Sequence, residues 1–164
     1  PELISPGNVT FIAHALIVPS QNEEDLARHD AEVERIAMDV ARAYEEAAGA
    51  QVLDVHTPEL ARAAGLTDNP GFDLLSIYPA KDPRGRRAIE VKGRAQSGDV
   101  EVSANEWARA ANIRAGYWLH VVYDCASAAP RLERIQDPFN SLLVKAKGSF
   151  LISPTEIRSA SEDD

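Results

Sequence analysis

One cysteine, Cys125, is too few for an internal disulfide, and its position inside an apolar stretch fits a reducing compartment, the cytoplasm. Long hydrophobic runs are also missing. The longest candidate, Val9 to Val18, is broken by Thr10 and His14 and falls short of the roughly 20 residues that a membrane span needs. No membrane partner is expected, and no secretory leader is recognisable. Aromatic residues make up only 6% of the chain, and the two tryptophans, Trp107 and Trp118, read as core residues rather than stacking platforms. A glycine-rich phosphate loop is absent, so ATP hydrolysis by this chain is not expected. Positive charge is scarce as well: 17 Lys and Arg stand against 26 Asp and Glu, a net charge of -9. That balance argues against a free-standing nucleic-acid binder acting through bulk attraction.

What is present is the make-up of one folded domain: 164 residues, 45% apolar and 26% charged, enough to bury a substantial core. The sequence opens at Pro1 with PELISPG, which reads as a linker, so a piece of a longer protein is expected. Residues 1–20 are assigned to linker and a flanking strand, 21–153 to the domain, and 154–164 to a disordered acidic tail. Charge is unevenly spread. Glu23 to Glu46 holds nine acids against three arginines, whereas Lys81 to Arg94 holds six bases (Lys81, Arg84, Arg86, Arg87, Lys92, Arg94) against Asp82 and Glu90.

Asn8 to Val18 reads as a strand, with His14 a core or edge histidine. Ser20 with Glu23 three positions on starts a helix, whose Val33, Ile36, Ala37, Val40, Ala41 and Tyr44 recur at helical spacing until about Ala48. Gln51 to Val55 is a short strand, and Thr57 with Pro58 opens a small helix ending near Gly65. His56 between them is read as incidental. Phe72 to Tyr78 and Arg87 to Gly93 are strands joined by the turn residues Asp82, Pro83, Arg84 and Gly85. Ser103 to Glu106, SANE, is a second capping box, opening a helix to about Arg114 that buries Trp107, Ala110 and Ala111. Tyr117 to Cys125 is apolar on both faces, hence a central strand with His120 packed inside. Arg131 to Gln136 is a more exposed strand, and Phe139 to Ser153 closes the domain with a short helix and strand.

The chemistry gathers in Gly71 to Ala95. Side chains alternate along a strand, so Glu90 and Lys92 share one face while Ile89 and Val91 take the other. Charges there are costly to bury without partners, and Asp73, one strand back, is the natural third member. Two converging carboxylates make a hard-cation site of the kind Mg²⁺ uses when a phosphate completes its shell. An adjacent lysine supplies positive charge for the attacking water or the developing negative charge. Asp, 16 intervening residues and then Glu-x-Lys on a hairpin is the layout of PD-(D/E)XK nucleases. The plainer alternative is a surface charge ladder, with Asp73 capping the turn after Asn69-Pro70-Gly71. The element order helix, strand, strand, strand, helix, strand is the αβββαβ core of the restriction-endonuclease-like α/β fold, a central mixed sheet flanked by helices.

Six ordered blocks carry a more specific likeness: IAMDVARAYE, GFDLLS, IEVKGRA, SANEW, YWLHVVYDC and RIQDP. Across roughly Glu32 to Pro138 the chain resembles the C-terminal domain family of the plant protein NO VEIN, a domain often appended to helicase-like or SNF2-type ATPases, including bacterial defence and restriction proteins. The resemblance implies that Asp73 and Glu90 hold Mg²⁺ or Mn²⁺, with the Val91 carbonyl as a backbone ligand. Lys92 would orient or help deprotonate the attacking water. Asp39, on the first helix, would add an outer-shell carboxylate, the other reading being a solvated acid. Arg94, on the strand face of Glu90 and Lys92, would meet a phosphate, with Arg86, Arg87 and Lys81 as further nucleic-acid contacts.

The leading expectation is therefore a metal-dependent DNA phosphodiesterase, tethered to the ATPase domains of a larger helicase or defence protein. The alternative is a non-catalytic module for nucleic acid or protein, with Asp73, Glu90 and Lys92 locked in a neutral cluster. A third reading is an assembly domain whose acidic first helix pairs with a basic patch on another subunit.

Overall fold

The computed structural model describes residues 23–142, 145–146 and 150–161. The strand expected over Asn8 to Val18 and the Ser20 cap lie outside these residues. In chain order the elements are α1 (Glu23–Ala47), β1 (Gln51–Asp54), α2 (Pro58–Ala63), β2 (Leu74–Ile77), β3 (Arg86–Gly93) and β4 (Val100–Val102). There follow α3 (Ala104–Ile113), β5 (Tyr117–Tyr123), β6 (Arg131–Gln136), α4 (Pro138–Ser141), β7 (Lys145–Ala146), β8 (Phe150–Ile152) and α5 (Pro154–Ala160).

Among the described residues five strands form the main sheet, in the order β1-β2-β3-β5-β6. Its neighbours are antiparallel except β3 and β5, which run parallel. Parallel neighbours need a crossover, and α3 lies within it. The result is a mixed sheet flanked by helices with the expected αβββαβ order, α2 being inserted between β1 and β2.

Alternation along β3 decides which side chains meet which helix. Ile89 and Val91, with Leu74, Trp118 and Val122, pack against Val33, Ala37 and Ala41 of α1. Gly93 permits this approach, since a Cβ there would lie 2.9 Å from the Val33 carbonyl oxygen and 3.0 Å from the Ala37 Cβ. On the opposite face Leu119, Val121 and Tyr123 meet Trp107 of α3, and Tyr117, Ala88 and Leu75 meet Ala110 and Ala61. All seven residues of β5 are buried, His120 among them. The central position in the sheet belongs to β3, with β5 beside it.

One boundary differs from the sequence reading. Residues 154–160, expected in a disordered tail, form α5, because Ser153 caps the Glu156 N–H and Ile157 is fully buried beside Ile135 and Ile152. The strand expected in the closing segment is β8, and among the described residues it pairs with β4 and β7 in a second, three-stranded sheet. Among the described residues no helix is long and apolar enough to cross a membrane.

Candidate functional site

Asp73 immediately precedes β2 and is held from both sides. Its N–H donates to the Ile89 carbonyl at 2.9 Å, and its carbonyl accepts the Val55 N–H at 2.8 Å. Its Oδ2 accepts the backbone N–H of Val91 at 2.8 Å. Glu90 and Lys92 flank Val91 on β3 and share the α3 side of the sheet. The Lys92 ammonium lies 2.7 Å from Glu90 Oε1 and 3.1 Å from Glu106 Oε2. Glu106 serves two ends at once: it also accepts the Ser103 N–H at 2.8 Å, completing the capping box of α3. Tyr117, next to Glu90, donates its hydroxyl to the Gly71 carbonyl at 2.9 Å. Asp73, Glu90 and Glu106 together line an open cleft of about 240 Å³, walled also by Val55, His56, the 68–72 loop, Ser103 and Asn105.

Two carboxyls, Glu90 and Glu106, thus share one ammonium with Asp73 lining the same cleft, and the titration of the group reflects it. Burial pushes the Glu90 carboxyl well above its usual range, the Asp73 charge adds to the push, and Lys92 only partly opposes them. Burial likewise raises Asp73, against the pull of the Val91 N–H and Lys92. For Lys92 burial works downward, but Glu90 and Glu106 outweigh it and hold the ammonium above its ordinary value. Burial works to raise Glu106, yet Lys92 and the Ser103 N–H keep it below the usual range. Burial and the nearby carboxylates push the Tyr117 phenol up. Among the described residues no three His, Cys, Asp or Glu side chains form a ready metal-binding group. The carboxylate oxygens of Asp73 and Glu90, with the backbone of Val91 between them, are what the cleft offers a hard cation.

The family model for protein NO VEIN, C-terminal, matches residues 33–135. The chain belongs to this family. The NO VEIN C-terminal match runs from α1 to β6 and takes in every residue of the cleft. No curated protein and no solved structure matches the chain.

Within the NO VEIN C-terminal domain the other expected site residues are dispersed. Asp39 is exposed on α1, 2.7 Å from Arg35 Nη1, and lines a neighbouring cleft with Arg42, Asp54 and His56. Lys81, Arg84 and Arg86 sit at the turn end of the β2–β3 hairpin, whereas Asp73 enters at its open end. These three bases therefore lie at the far end of the hairpin from Asp73. Arg84, Arg86 and Arg87 line a separate cleft of about 510 Å³ with Trp118 and Gln136. Arg87, an odd-numbered neighbour on a strand whose even positions carry Glu90 and Lys92, turns to the α1 side and pairs with Glu45 at 3.1 Å. Arg94 follows β3 and donates from Nε to the Asp99 carbonyl at 2.6 Å, bracing the loop to β4.

Two residues of consequence were not read as such from the sequence. Glu106 was legible as a cap, but not as the second carboxylate of Lys92. Glu45 is fully buried, accepts the Tyr78 hydroxyl at 2.7 Å and pairs with Arg87, whose guanidinium lies 4.1 Å from the Trp118 ring centre. Its place on the apolar stripe of α1, four positions after Ala41, was the available signal. His120 lies 3.7 Å from Glu45, and burial, with Arg134 and Arg87 nearby, lowers its pKa to about 3.

Proposed function

We propose that this domain is a divalent-metal-dependent phosphodiesterase of the PD-(D/E)XK kind, acting on DNA as a module of a larger helicase or defence ATPase. The observation that carries this reading is the meeting of Asp73 and Glu90 in one cleft, two desolvated carboxyls that both resist ionisation. A single ammonium shared with Glu106 leaves that cleft short of positive charge. Oxygen donors of this type suit Mg²⁺ or Mn²⁺. Asp73 and Glu90 would hold the cation. The Val91 carbonyl leaves the strand on the same edge as the N–H that meets Asp73, and would be the third oxygen.

A bound divalent cation supplies Lewis-acid polarisation of the phosphate and a more acidic water. Lys92 orients that water and stabilises the added negative charge. Tyr117 and Ser103 hold the walls of the cleft through their bonds to Gly71 and Glu106. Exposed Arg86 and Lys81 would contact the DNA backbone away from the scissile bond, and Arg87 and Arg94 would contribute only from their present ties. Tethered ATPase domains would supply affinity and local concentration that a chain of net charge -9 does not.

The test is calorimetric titration of Mn²⁺ into the wild-type domain and into Glu90→Ala, followed by assay of both on single-stranded, double-stranded and branched DNA. Metal uptake and cleavage present in the wild type and lost together in the variant support the proposal. A second reading is favoured by the ion pairs of Lys92 with Glu90 and Glu106: a non-catalytic module for nucleic acid or protein. It predicts a folded domain with neither metal uptake nor cleavage.

A further inference from the structure

Cleaving a phosphodiester leaves a departing oxygen that takes up a proton, and at the rim of the carboxylate cleft His56 is placed to give it. His56 lines the cleft beside Asp73 and Glu90. Its ring is held from behind: Nδ1 lies 2.5 Å from Asp54 Oδ1, and the His56 backbone N–H donates to the same oxygen at 3.3 Å. The other oxygen of Asp54 accepts Arg42 Nη2 at 2.8 Å. Asp54 is therefore fixed between α1 and the end of β1, and it fixes the imidazole in turn. With Nδ1 occupied, Nε2 is the ring nitrogen left to face a substrate.

Sheet register brings this pair to the reacting centre. Val55 donates its N–H to the Asp73 carbonyl at 2.8 Å, so His56 directly follows the residue paired with Asp73. The ring is 42% exposed at the rim, where a nucleic-acid strand would enter. Lys92 is a poor donor by comparison, being tied to two carboxylates. A carboxylate that orients one imidazole nitrogen while the other handles a proton is a recurrent catalytic arrangement.

We infer that His56, oriented by Asp54, protonates the leaving oxygen of a phosphodiester bound at Asp73 and Glu90. The inference rests on the phosphodiesterase reading above. As the water oxygen bonds to phosphorus, the bond to the leaving oxygen breaks and that oxygen takes the Nε2 proton. The water's own proton passes to solvent through the carboxyl cluster, and solvent reprotonates His56.

The experiment compares wild type, His56→Ala and His56→Gln with Mn²⁺ present on three DNA oligonucleotides of one sequence. One is unmodified, and the others carry sulfur in place of the 3′ or the 5′ bridging oxygen at the cleavage position found for the wild type. A thiolate leaves without a proton. His56→Ala should slow the unmodified substrate at least about a hundredfold and leave one sulfur substrate near the wild-type rate, and added imidazole should restore part of the loss. Equal slowing of all three substrates, or no slowing of any, overturns the role of His56 while leaving the phosphodiesterase reading in place. A wild-type domain that takes up no metal and cleaves nothing overturns both.

Discussion

Lys92 reaches from the middle strand of the sheet to the first turn of α3, where its ammonium lies 3.1 Å from Glu106 Oε2. This contact joins the cap of a helix to the charge balance of the cleft, so that one side chain stabilises the fold and sets the state of the lysine.

The two roles separate by substitution. Gln still completes a capping box, whereas Ala does not. Glu106→Gln and Glu106→Ala should release Lys92 alike, but Glu106→Ala should lose about 1 kcal/mol more of folding stability. Urea denaturation of the two variants at one pH measures the difference.

The raised carboxyls predict an unusual pH profile. Asp73 and Glu90 have folded pKa values above their unfolded ones, so the native state binds more protons and stability falls as pH rises from the unfolded carboxyl range through the folded values. Glu90→Gln removes most of that penalty. Its melting temperature relative to wild type should rise as the pH climbs above the ordinary carboxylate range, and Mn²⁺ should raise the wild type but not the variant. Metal uptake should also release protons, visible as a buffer-dependent heat in calorimetry.

Glu45 and Arg87 form an ion pair with side-chain exposures of 0% and 11%. Truncating one partner strands the other. Glu45→Ala should cost about 3–5 kcal/mol, and replacing both residues with Met should recover most of it. Chemical denaturation of the single and double variants gives the comparison, and metal uptake by the double variant should stay at the wild-type level.

Gly93 follows Lys92 where α1 crosses β3. A methyl group would meet the Val33 carbonyl and the Ala37 side chain, so Gly93→Ala should destabilise by about 1–3 kcal/mol. Loss of metal affinity should accompany the loss of stability, because the same displacement shifts the end of β3. Thermal melts and Mn²⁺ titration of this variant test the coupling.

Local signals carried most of the fold. The SANE cap, the Thr57-Pro58 helix start and the apolar stripe of α1 each depend on residues a few positions apart, and each recurs in the structure. Alternation on IEVKG correctly put Glu90 and Lys92 together. The same rule sends Arg87 to the opposite face, whereas Arg94 leaves that pattern because β3 ends at Gly93 and its guanidinium turns to the Asp99 carbonyl. What sequence spacing does not encode is pairing across long separations. Val100 meets Ile152 in the second sheet, and Glu45 meets Tyr78 and Arg87 only once α1 has docked. His56, read as incidental, has Asp54 behind it and shares a cleft with Asp73, a proximity created by the β1–β2 register.

The hydrogen bond from the Val91 amide to the Asp73 carboxylate gives this domain a built-in spectroscopic probe. Neighbouring amides of β3 are locked in sheet ladders and exchange with solvent only when the sheet opens. The Val91 proton instead depends on a side chain that can change its charge or turn toward a cation. Its chemical shift and its exchange rate would therefore follow the occupancy of the cleft residue by residue, in a protein that otherwise looks unchanged.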